Sequence, residues 1–466
     1  MKRILAKQAI ERVGEEVKLA GWVNTKRKMG KIVFIDLRDA SGIIQLVFLP
    51  ESNKEIESVL ESVKPEYVIE VQGKVNSRPK SQINPDLETG EVEVEVKDCK
   101  IVSSSFTPPF TIDNEIIPAR EELRMEYRYL DLRHKRMKDN LKARYELIKN
   151  IREFLDSKNF IEIETPCLTK GTPEGAREYI IPSRIYPGKF YVLPQAPQQF
   201  KQLLMIAGFE RYFQIARCFR DEDTRGDRQP EFTQVDLEVS FLEEDEILDL
   251  IEEMIVKSIK AVYGDKKKIK TPFPRLKAKD VLKKYKTDKP DLRKDKNDPN
   301  ELAFVWIKEF PLFEYSETEK KIVATHNPFT MPFQEDLPLL DKDPLKVRAH
   351  QYDLVCNGFE VGGGALRIYN PELQKKVFTI LGLKEEEIDS KFGRFLRAFE
   401  YGAPPHGGIA LGLDRLVMIL QNEPNIREVI AFPKTADGRD LMLGAPDKIP
   451  PSQIKEAHIK IDLKES

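Results

Sequence analysis

Two arginines stand in contexts that restrict this chain to a small set of folds. Arg220 ends an apolar stretch at residues 212–220, and a polar loop separates it from a second stretch that opens at Phe232. Arg415 follows a later glycine-rich stretch that ends in Gly412-Leu413-Asp414. Strands that follow one another along the chain commonly pair as antiparallel neighbours. The pattern therefore predicts an antiparallel sheet that brings Arg220 and Phe232 to one site.

The strand predicted at residues 232–241 has one apolar face and one face rich in functional groups, because alternate side chains point to opposite sides. The packing face is expected to hold Thr233, Val235, Leu237, Val239 and Phe241. The other face carries Phe232, Gln234, Asp236, Glu238 and Ser240. A plain surface strand shows the same alternation, so only the neighbouring stretch that ends at Arg220 favours a binding site.

Composition narrows the class of protein. The chain has 466 residues, of which 40% are hydrophobic and 33% charged, which indicates roughly two to four globular domains and excludes a disordered or fibrous chain. The formal net charge is only −2, so any contact with nucleic acid depends on local basic patches. One such patch is residues 26–31, although a basic run this short is more often a solvated turn.

The four cysteines lack the Cys-x-x-Cys spacing of a zinc site and give no sign of a disulfide framework. The N-terminus has no apolar core of the length found in signal peptides, and no stretch of about 20 apolar residues follows. We therefore expect a cytoplasmic protein with reduced cysteines and no membrane insertion.

Residues 17–102 contain five short alternating strands, with one helical segment at 55–63 before the fourth. This order predicts a small β-barrel of the OB type. On such a barrel, polar and aromatic strand residues stack on and read single-stranded bases. The candidates are Arg27, Phe34, Gln45, Arg78 and Glu93. A single aromatic residue in a strand is more often part of the core, and that alternative stays open for Phe34.

Prolines at 108–109 and in residues 111–118 indicate a linker. Beyond it, apolar residues at helical spacing predict a helix at 137–157, and residues 160–166 predict a strand that ends at a proline. The fold class is α+β, with an N-terminal barrel followed by an antiparallel sheet flanked by helices. The expected boundaries are a barrel domain at 1–104, a linker at 105–135, a second domain at 136–446 and a C-terminal extension at 447–466.

The functional groups suit the activation of a carboxylic acid by ATP. That reaction requires no protein nucleophile, since the acid attacks the α-phosphate while the protein aligns the reactants and stabilises charge. The planar guanidinium of Arg220 can bind a phosphate and a carboxylate oxygen together. Phe232 and Arg415 can stack on the two faces of adenine. Asp353 and Glu360 are hard oxygen ligands for Mg²⁺, although two acids seven residues apart are more often simply solvated.

With these residues in order, the chain resembles the aspartyl-tRNA synthetases of bacterial type, a family of class IIb aminoacyl-tRNA synthetases. Motif 1 of that family matches residues 160–166, motif 2 residues 219–238 and motif 3 residues 406–420. Further matches lie at 172–177, 197–202, 326–330 and 360–367, so the resemblance covers nearly the whole chain. It implies an aspartate–tRNA ligase that forms aspartyl-adenylate from aspartate and ATP with Mg²⁺, then transfers the aspartyl group to the 3′ end of tRNA. A homodimer is implied as well.

The resemblance also implies roles for single residues. The residues implied for aspartate are Lys201 and Arg367 at its side-chain carboxylate, Glu174, Gln198 and Asp236 near its ammonium, and His326 on a mobile loop. Those implied for ATP are Arg220, Glu222, Gln229, Phe232, Glu360, Gly412, Asp414 and Arg415, with Arg220 and Arg415 catalytic and Asp353 and Glu360 binding the metal. Those implied for tRNA are Arg27, Phe34, Gln45, Arg78, Asn84 and Glu93 at the anticodon, and Arg225 and Arg228 at the acceptor end.

The sequence departs from the family pattern in several places. Ala196 and Ala365 stand where serine is usual, Glu178 replaces an aspartate, and Asn327 replaces a histidine. Bacterial members also carry an inserted domain of about a hundred residues, an ordinary domain size. Here residues 294–300 bridge that point directly. The residues implied for ATP, metal and aspartate lie outside the gap, so we expect activation to survive.

The charges of Lys201 and Arg367 favour aspartate over asparagine as the substrate. Two buried cations that face a neutral amide would lack compensation.

Three alternatives to this function remain. Within the family, a relaxed enzyme would also charge the asparagine tRNA with aspartate. Outside it, a class II-like asparagine synthetase has no need of the barrel. A paralogue that only binds nucleic acid has no need of Arg220, Glu360 and Arg415 together.

Overall fold

The computed structural model describes residues 1–49, 54–112, 119–171 and 176–462. The chain divides into two compact units, Met1–Arg124 and Met125–Ser466. Within the described ranges, no helix has both the length and the apolar character needed to cross a membrane.

The first unit contains the strands β1 (Glu16–Met29), β2 (Ile32–Arg38), β3 (Ile43–Phe48), β4 (Val68–Ser77) and β5 (Val92–Ser103), and the helices α1 (Lys54–Ser62) and the start of α2 (Glu121–Glu126). The helices of the second unit are α3 (Arg128–Asp131), α4 (Lys135–Ser157), α5 (Gln198–Ile206), α6 (Glu244–Tyr263), α7 (Ala278–Tyr285), α8 (Leu339–Lys342), α9 (Pro371–Ile380), α10 (Glu385–Phe399), α11 (Leu413–Gln421) and α12 (Pro451–Glu456). Its strands are β6 (Ile161–Glu162), β7 (Ile180–Pro182), β8 (Phe190–Val192), β9 (Arg211–Phe219), β10 (Glu231–Ser240), β11 (Lys268–Ile269), β12 (Arg275–Lys277), β13 (Glu301–Leu302), β14 (Phe304–Lys308), β15 (Phe313–Ser316), β16 (Lys321–Ala324), β17 (Gln351–Cys356), β18 (Phe359–Leu366) and β19 (His406–Gly412).

The first unit is a closed barrel in the order β1-β2-β3-β5-β4, in which only β3 and β5 are parallel. Inward positions alternate with outward ones along each strand, and the inward residues, such as Leu19, Ile35 and Val71, form the core. Ile56 of α1 packs on that core. The predicted barrel with its helix before the fourth strand is confirmed.

The second unit is built on an eight-stranded sheet in the order β12-β14-β17-β18-β19-β10-β9-β6. Its central strands are antiparallel, and the parallel pairs β12-β14 and β6-β9 lie at the two edges. Helices α4, α6 and α11 cover one face, where Ile251, Leu155 and Val417 pack on Leu237 and Ile409. The opposite face of the central strands is left for polar residues. The predicted α+β class is confirmed.

Two details of the second unit differ from expectation. The strand predicted at 160–166 is much shorter in the structure. Only Ile161–Glu162 form a strand, β6, which lies at the edge of the sheet and pairs with β9. Phe241 was expected on the packing face but is 62% exposed. It follows the last residue of β10 with a positive φ of 61°, so the chain turns away from the sheet before Phe241 reaches the core.

Gly408 tests how tightly the central strands are packed. A Cβ atom at Gly408 would collide with the carbonyl of Leu237 and the carboxylate of Glu238. Gly412 is in the same strand, but a Cβ there meets nothing closer than 3.8 Å. We expect Gly408→Ala to lower the free energy of unfolding by about 1–3 kcal/mol through overpacking, and Gly412→Ala to change it by less than about 0.5 kcal/mol.

Denaturant unfolding of the two single variants measures the difference. Equal stability of the two variants would contradict the packing described for β10 and β19.

Candidate active site

Two rows of residues cross the open face of the sheet, because directly paired residues of antiparallel strands share a face. Consecutive partners in the first row are Gln214, Asp236, Ala410, Gly363 and Asp353. Consecutive partners in the second row are Tyr212, Glu238, Gly408, Ala365 and Gln351. Adjacent strands are about 4.8 Å apart, so Asp236 and Asp353 lie roughly 14 Å from each other.

The middle of both rows consists of glycine and alanine, which leaves room above the sheet. A cavity of about 370 Å³ lies there. The predicted site residues that line it are Gln198, Lys201, Arg220, Glu222, Arg228, Gln229, Phe232, Asp236, His326, Glu360, Arg367, Gly412, Asp414 and Arg415. The structure therefore brings most of the predicted residues together. Glu174 lies outside the described residues, so its position is not assigned.

One end of the cavity holds a buried cluster of four charges. Lys201 projects from α5, and its Nζ lies 2.7 Å from Oδ1 of Asp236 and 3.3 Å from Oε2 of Glu238. Arg367, just after β18, donates from Nε to Oε1 of Glu238 at 2.9 Å and from Nη2 to Oε2 at 3.3 Å. All four side chains are at most 4% exposed. Each buried charge thus has an opposite partner, as burial requires.

The cluster overturns the charge argument made from the sequence. Lys201 and Arg367 are not uncompensated cations, since Asp236 and Glu238 give the cluster a formal charge of zero. Burial would raise the pKa of Glu238, but Arg367 and Lys201 outweigh it and lower the pKa. For Asp236, burial dominates over Lys201, and the pKa is raised. A preference for aspartate over asparagine therefore does not follow from the two cations alone.

Arg220 and Phe232 meet as predicted. Arg220 is the residue after β9, and Phe232 is the second residue of β10. The guanidinium carbon of Arg220 lies 5.0 Å from the centre of the Phe232 ring. Arg220 therefore covers a face of the ring, a cation–π contact that the sequence did not indicate. Nε of Arg220 is buried without a hydrogen-bond acceptor among the described residues.

The side chain of Arg415, in the first turn of α11, contacts the loop between β9 and β10. It donates to the backbone oxygen of Glu360 and, at 3.0 Å, to the carboxylate of Asp227. In the same loop, Glu222 accepts from Arg228 at 3.1 Å. These polar contacts fix the wall of the cavity around Phe232.

Three other predicted residues form hydrogen bonds with other residues of the chain. The amide of Gln229 exchanges two hydrogen bonds with the backbone of Lys434, at 3.0 and 2.7 Å. Asp414 accepts from the backbone of Thr233 at 2.8 Å and from Arg144 of α4. Gln198 donates to Gln202 within α5. Asp414 thereby joins α4 and β10 at the edge of the site.

Away from this cluster the cavity is lined by His326, Gln351 and Glu360, whereas the predicted ligand Asp353 does not line it and contacts His326 and Gln351. Oδ2 of Asp353 lies 3.2 Å from Nε2 of His326, and Oδ1 accepts from Gln351 at 2.9 Å. Burial would lower the pKa of His326, but the Asp353 carboxylate outweighs it and raises the pKa. Glu360 Oε2 lies 3.0 Å from Nζ of Lys289, and Lys289 and Arg415 hold the pKa of Glu360 low against the effect of burial.

Asp353 and Glu360 face the same space. The position that a Cβ would take on Gly363 is 3.0 Å from Asp353 Oδ1 and 3.8 Å from Glu360 Oε1. Those two oxygens are therefore no more than about 7 Å apart, a limit set by these two distances. Within the described ranges, no group of three or more acidic, histidine or cysteine side chains is placed to hold a metal.

The sequence reasoning assigned no role to Glu238 or Lys289. Glu238 was signalled, since it shares the functional face of β10 with Asp236, but its partner Arg367 is 129 residues away. Lys289 had no local signal. It reaches Glu360 because the connection after α7 passes beside the β17-β18 turn, where a Cβ built on Gly358 would lie 3.6 Å from Cβ of Asp291.

Most barrel candidates form one connected surface. Arg27 and Phe34 are paired neighbours on β1 and β2. Gln45 accepts from Arg27 at 3.3 Å and donates to Glu93 at 2.9 Å, and Arg78 Nε lies 3.7 Å from the same Glu93 oxygen. Phe34 is half-buried and is absent from the barrel core, so the core alternative is wrong.

The three remaining nucleic-acid candidates lie on loops and have local contacts. Asn84 lies outside the connected barrel surface and accepts the backbone N–H of Asp86 at 3.0 Å. Arg225 and Arg228 are exposed, and their backbones form an isolated antiparallel β-bridge in the loop between β9 and β10. A residue missed on the barrel is Asp36, which pairs with Arg27 at 3.2 Å.

Residues 120–436 match the family of class II tRNA synthetases (D, K and N), and residues 17–102 match the OB-fold nucleic acid binding domain. The aspartate–tRNA(Asp/Asn) ligase of Caldanaerobacter subterraneus is 43% identical, with 97% of each chain covered. The enzyme of the same name from Dictyoglomus turgidum is 44% identical, with 96% of each covered. The first alignment spans 577 positions against 466 residues here, so at least about a hundred positions of that relative have no counterpart.

Solved structures share the fold. An asparaginyl-tRNA synthetase from Pyrococcus horikoshii, complexed with asparaginyl-adenylate, has a TM-score of 0.76 at 22% identity and covers 93% of this chain and 98% of its own. A protein from Leishmania major described as an aspartyl-tRNA synthetase has a TM-score of 0.75 at 21% identity, with 93% and 94% covered. The family match over residues 120–436 and the relatives that are 43–44% identical over nearly the whole chain show that the chain belongs to the class II tRNA synthetases.

Proposed function

We propose that this chain is an aspartate–tRNA ligase that activates L-aspartate with ATP and transfers it to the 3′ end of tRNA. The observation that carries the proposal is the buried cluster of Lys201, Asp236, Glu238 and Arg367 at one end of a cavity whose other wall holds Arg220, Phe232 and Arg415. The names of relatives at 43–44% identity over nearly the whole chain support aspartate as the substrate.

Aspartate would enter between the paired charges. Glu238 uses Nε and Nη2 of Arg367, so the remaining Nη1 is available for the side-chain carboxylate of the substrate, beside Nζ of Lys201. Asp236 Oδ2 accepts no hydrogen bond that meets the usual geometric limits from the described residues, although the Tyr212 hydroxyl interacts with this carboxylate. Asp236 can therefore accept the ammonium, with Gln198 and Glu174 as further partners and His326 closing over the site.

ATP would lie along the arginine-lined wall. Its adenine stacks between Phe232 and Arg415, with Glu222, Gln229, Gly412 and Asp414 around it. The α-carboxylate of aspartate then attacks the α-phosphate and the pyrophosphate leaves. Arg220 binds the negative charge that builds up on the phosphate, and its buried Nε, which has no acceptor among the described residues, can donate to it.

Asp353 and Glu360 are the residues that would hold Mg²⁺. They offer hard oxygens within about 7 Å of each other, and Mg²⁺ is commonly bound by one or two carboxylates together with substrate phosphates. The absence of a third acidic ligand among the described residues fits such a shared site. Bound there, the ion would neutralise phosphate charge, while Lys289 holds Glu360 ionised.

The barrel surface of Arg27, Phe34, Gln45, Arg78 and Glu93, with Asn84 nearby in the chain, would read the anticodon by stacking and hydrogen bonding. Arg225 and Arg228 would contact the acceptor end. A homodimer is supported by exposed apolar side chains at the β6 edge and the β7-β8 hairpin, including Ile161, Ile180 and Phe190. A cytoplasmic location follows from a role in translation.

The first prediction concerns Arg220. The purified chain should catalyse aspartate-dependent ATP–pyrophosphate exchange without RNA, and Arg220→Ala should lower the exchange rate by at least about 100-fold, the loss typical when a donor to transition-state charge is removed. Arg394→Ala, on the exposed side of α10, is the matched control and should leave exchange unchanged. Near-normal exchange in a folded Arg220→Ala variant would end the proposed role.

The second prediction concerns Lys201. In Lys201→Met the substrate loses one cation, and Asp236 loses its nearest counter-charge, so the KM for aspartate should rise by at least about 100-fold. The KM for ATP should change much less, since Arg220 and Arg415 are untouched. Exchange kinetics measured against each substrate make the comparison, with Lys260→Met on the exposed side of α6 as the control. Equal rises in both constants would point to general damage to the fold.

The relatives' names favour a relaxed specificity, because each is an aspartate–tRNA(Asp/Asn) ligase. We therefore expect the chain to attach aspartate to both the aspartate and the asparagine tRNA, with rate constants within about tenfold of each other. Charging the two purified tRNAs with labelled aspartate measures this. If only the aspartate tRNA is charged, the relaxed specificity is wrong while the ligase activity stands.

A further inference from the structure

The charge of the chain is unevenly distributed. Residues 264–300 contain 14 lysine and arginine residues but only six aspartates, although the whole chain has a formal net charge of −2. This segment therefore has a net charge of +8, and the rest of the chain is acidic. It contains β11, β12 and α7 and ends in the short connection before β13.

Most of the excess charge is not neutralised by neighbouring acids. Some basic residues do have partners, such as Lys268 with Asp298 and Arg275 with Asp245 and Asp249. The exposed lysines of this segment that make no ion pair within 4 Å with any described residue are Lys266, Lys270, Lys279, Lys283, Lys284, Lys286, Lys294 and Lys296. Eight ammonium groups without an acidic partner among the described residues, one of which, Lys284, lies over the Tyr285 ring, form a strong local positive field.

Helix α7 orders part of this charge on one side. Ala278 and Val281 are buried against β14 and β17, which fixes the rotation of the helix. Lys279 and Lys283 are four residues apart and point outward, and Lys286 follows at the left-handed C-cap. Like charges at this spacing repel each other. We call Lys279, Lys283, Lys284 and Lys286 the lysine face.

The lysine face lies close along the chain to a residue of the active-site cavity. Lys289 lines the cavity and contacts Glu360, and it is three residues from Lys286, which limits the distance between their Cα atoms to about 11 Å. The connection is held in place, since Glu301 accepts the backbone N–H groups of Lys294 and Asp295 at 3.0 and 2.9 Å. Asn357 of the β17-β18 turn bonds to Ala303 and Glu301.

We propose that the lysine face binds backbone phosphates of the tRNA acceptor arm as its 3′ end enters the cavity. The inference rests on the proposed function, because it takes tRNA as the polyanion. It extends that function to a surface at the point where the family's inserted domain is replaced by a short connection. Phosphates compensate the repulsion among the lysines, and the contacts carry affinity without reading sequence.

The test compares Lys279→Gln/Lys283→Gln/Lys286→Gln with the control Lys342→Gln/Lys375→Gln/Lys391→Gln. The control lysines are exposed, make no ion pair with described residues and lie elsewhere in the second unit. Binding of an aspartate tRNA transcript, its acceptor minihelix and its anticodon stem-loop is measured over a range of salt concentrations. Aspartate-dependent pyrophosphate exchange without RNA is measured on the same preparations.

We expect the lysine-face variant to bind the tRNA and the minihelix at least tenfold more weakly. The slope of log affinity against log salt should fall by about 2–3, since each lost phosphate contact removes about 0.9. Binding of the anticodon stem-loop, and exchange, should be unchanged in both variants.

Three results would overturn the proposal: an unchanged slope, an equal loss in the control, or an equal loss of stem-loop binding. An intact affinity for tRNA would also overturn it. The partner to consider for the lysine face would then be an acidic protein. Missing exchange in the unsubstituted chain would contradict the ligase function itself and not only this surface.

Discussion

The site depends on the mutual neutralisation of four buried charges. The side chains of Lys201, Asp236, Glu238 and Arg367 are almost fully buried, and breaking such a set by removing one member costs several kcal/mol in other proteins. The four members come from three parts of the second unit: Lys201 from α5, both acids from β10, and Arg367 from the residue after β18. The cluster therefore holds α5 and the end of β18 against β10. These elements carry the residues at this end of the cavity.

The sheet explains why the two ends of the cavity differ. Partners across β10, β19, β18 and β17 place Asp236 and Asp353 in one row, separated by Ala410 and Gly363. Small residues between them make the space: a Cβ on Gly363 would lie 3.0 Å from Oδ1 of Asp353, and in the second row a Cβ on Gly408 would collide with the carboxylate of Glu238. At one end cations are paired with acids and the net charge is zero. At the other, the carboxylates of Asp353 and Glu360 contact His326 and Lys289.

Sequence reasoning reached the parts of this arrangement that follow from local pattern. The alternation in β10 identified the face with Asp236, and the order of the strands around Arg220 predicted that Arg220 and Phe232 share one site, although not their cation–π contact. Pairings between distant segments were not readable, because no spacing rule links Glu238 to Arg367 or Lys289 to Glu360. That is why the sequence counted two cations and missed the acid that neutralises them. The short β6 and the exposed Phe241 were also missed, since both depend on where the chain leaves the sheet.

The account makes one geometric claim above all: Lys201 and Arg367 hold the side-chain carboxylate of the substrate while remaining paired to Asp236 and Glu238. A crystal structure with aspartate or a non-hydrolysable aspartyl-adenylate analogue tests it most directly. The account predicts Nζ of Lys201 and Nη1 of Arg367 within about 3.2 Å of that carboxylate, the range of N–H···O hydrogen bonds. A bound ligand whose carboxylate lies away from both groups would contradict it.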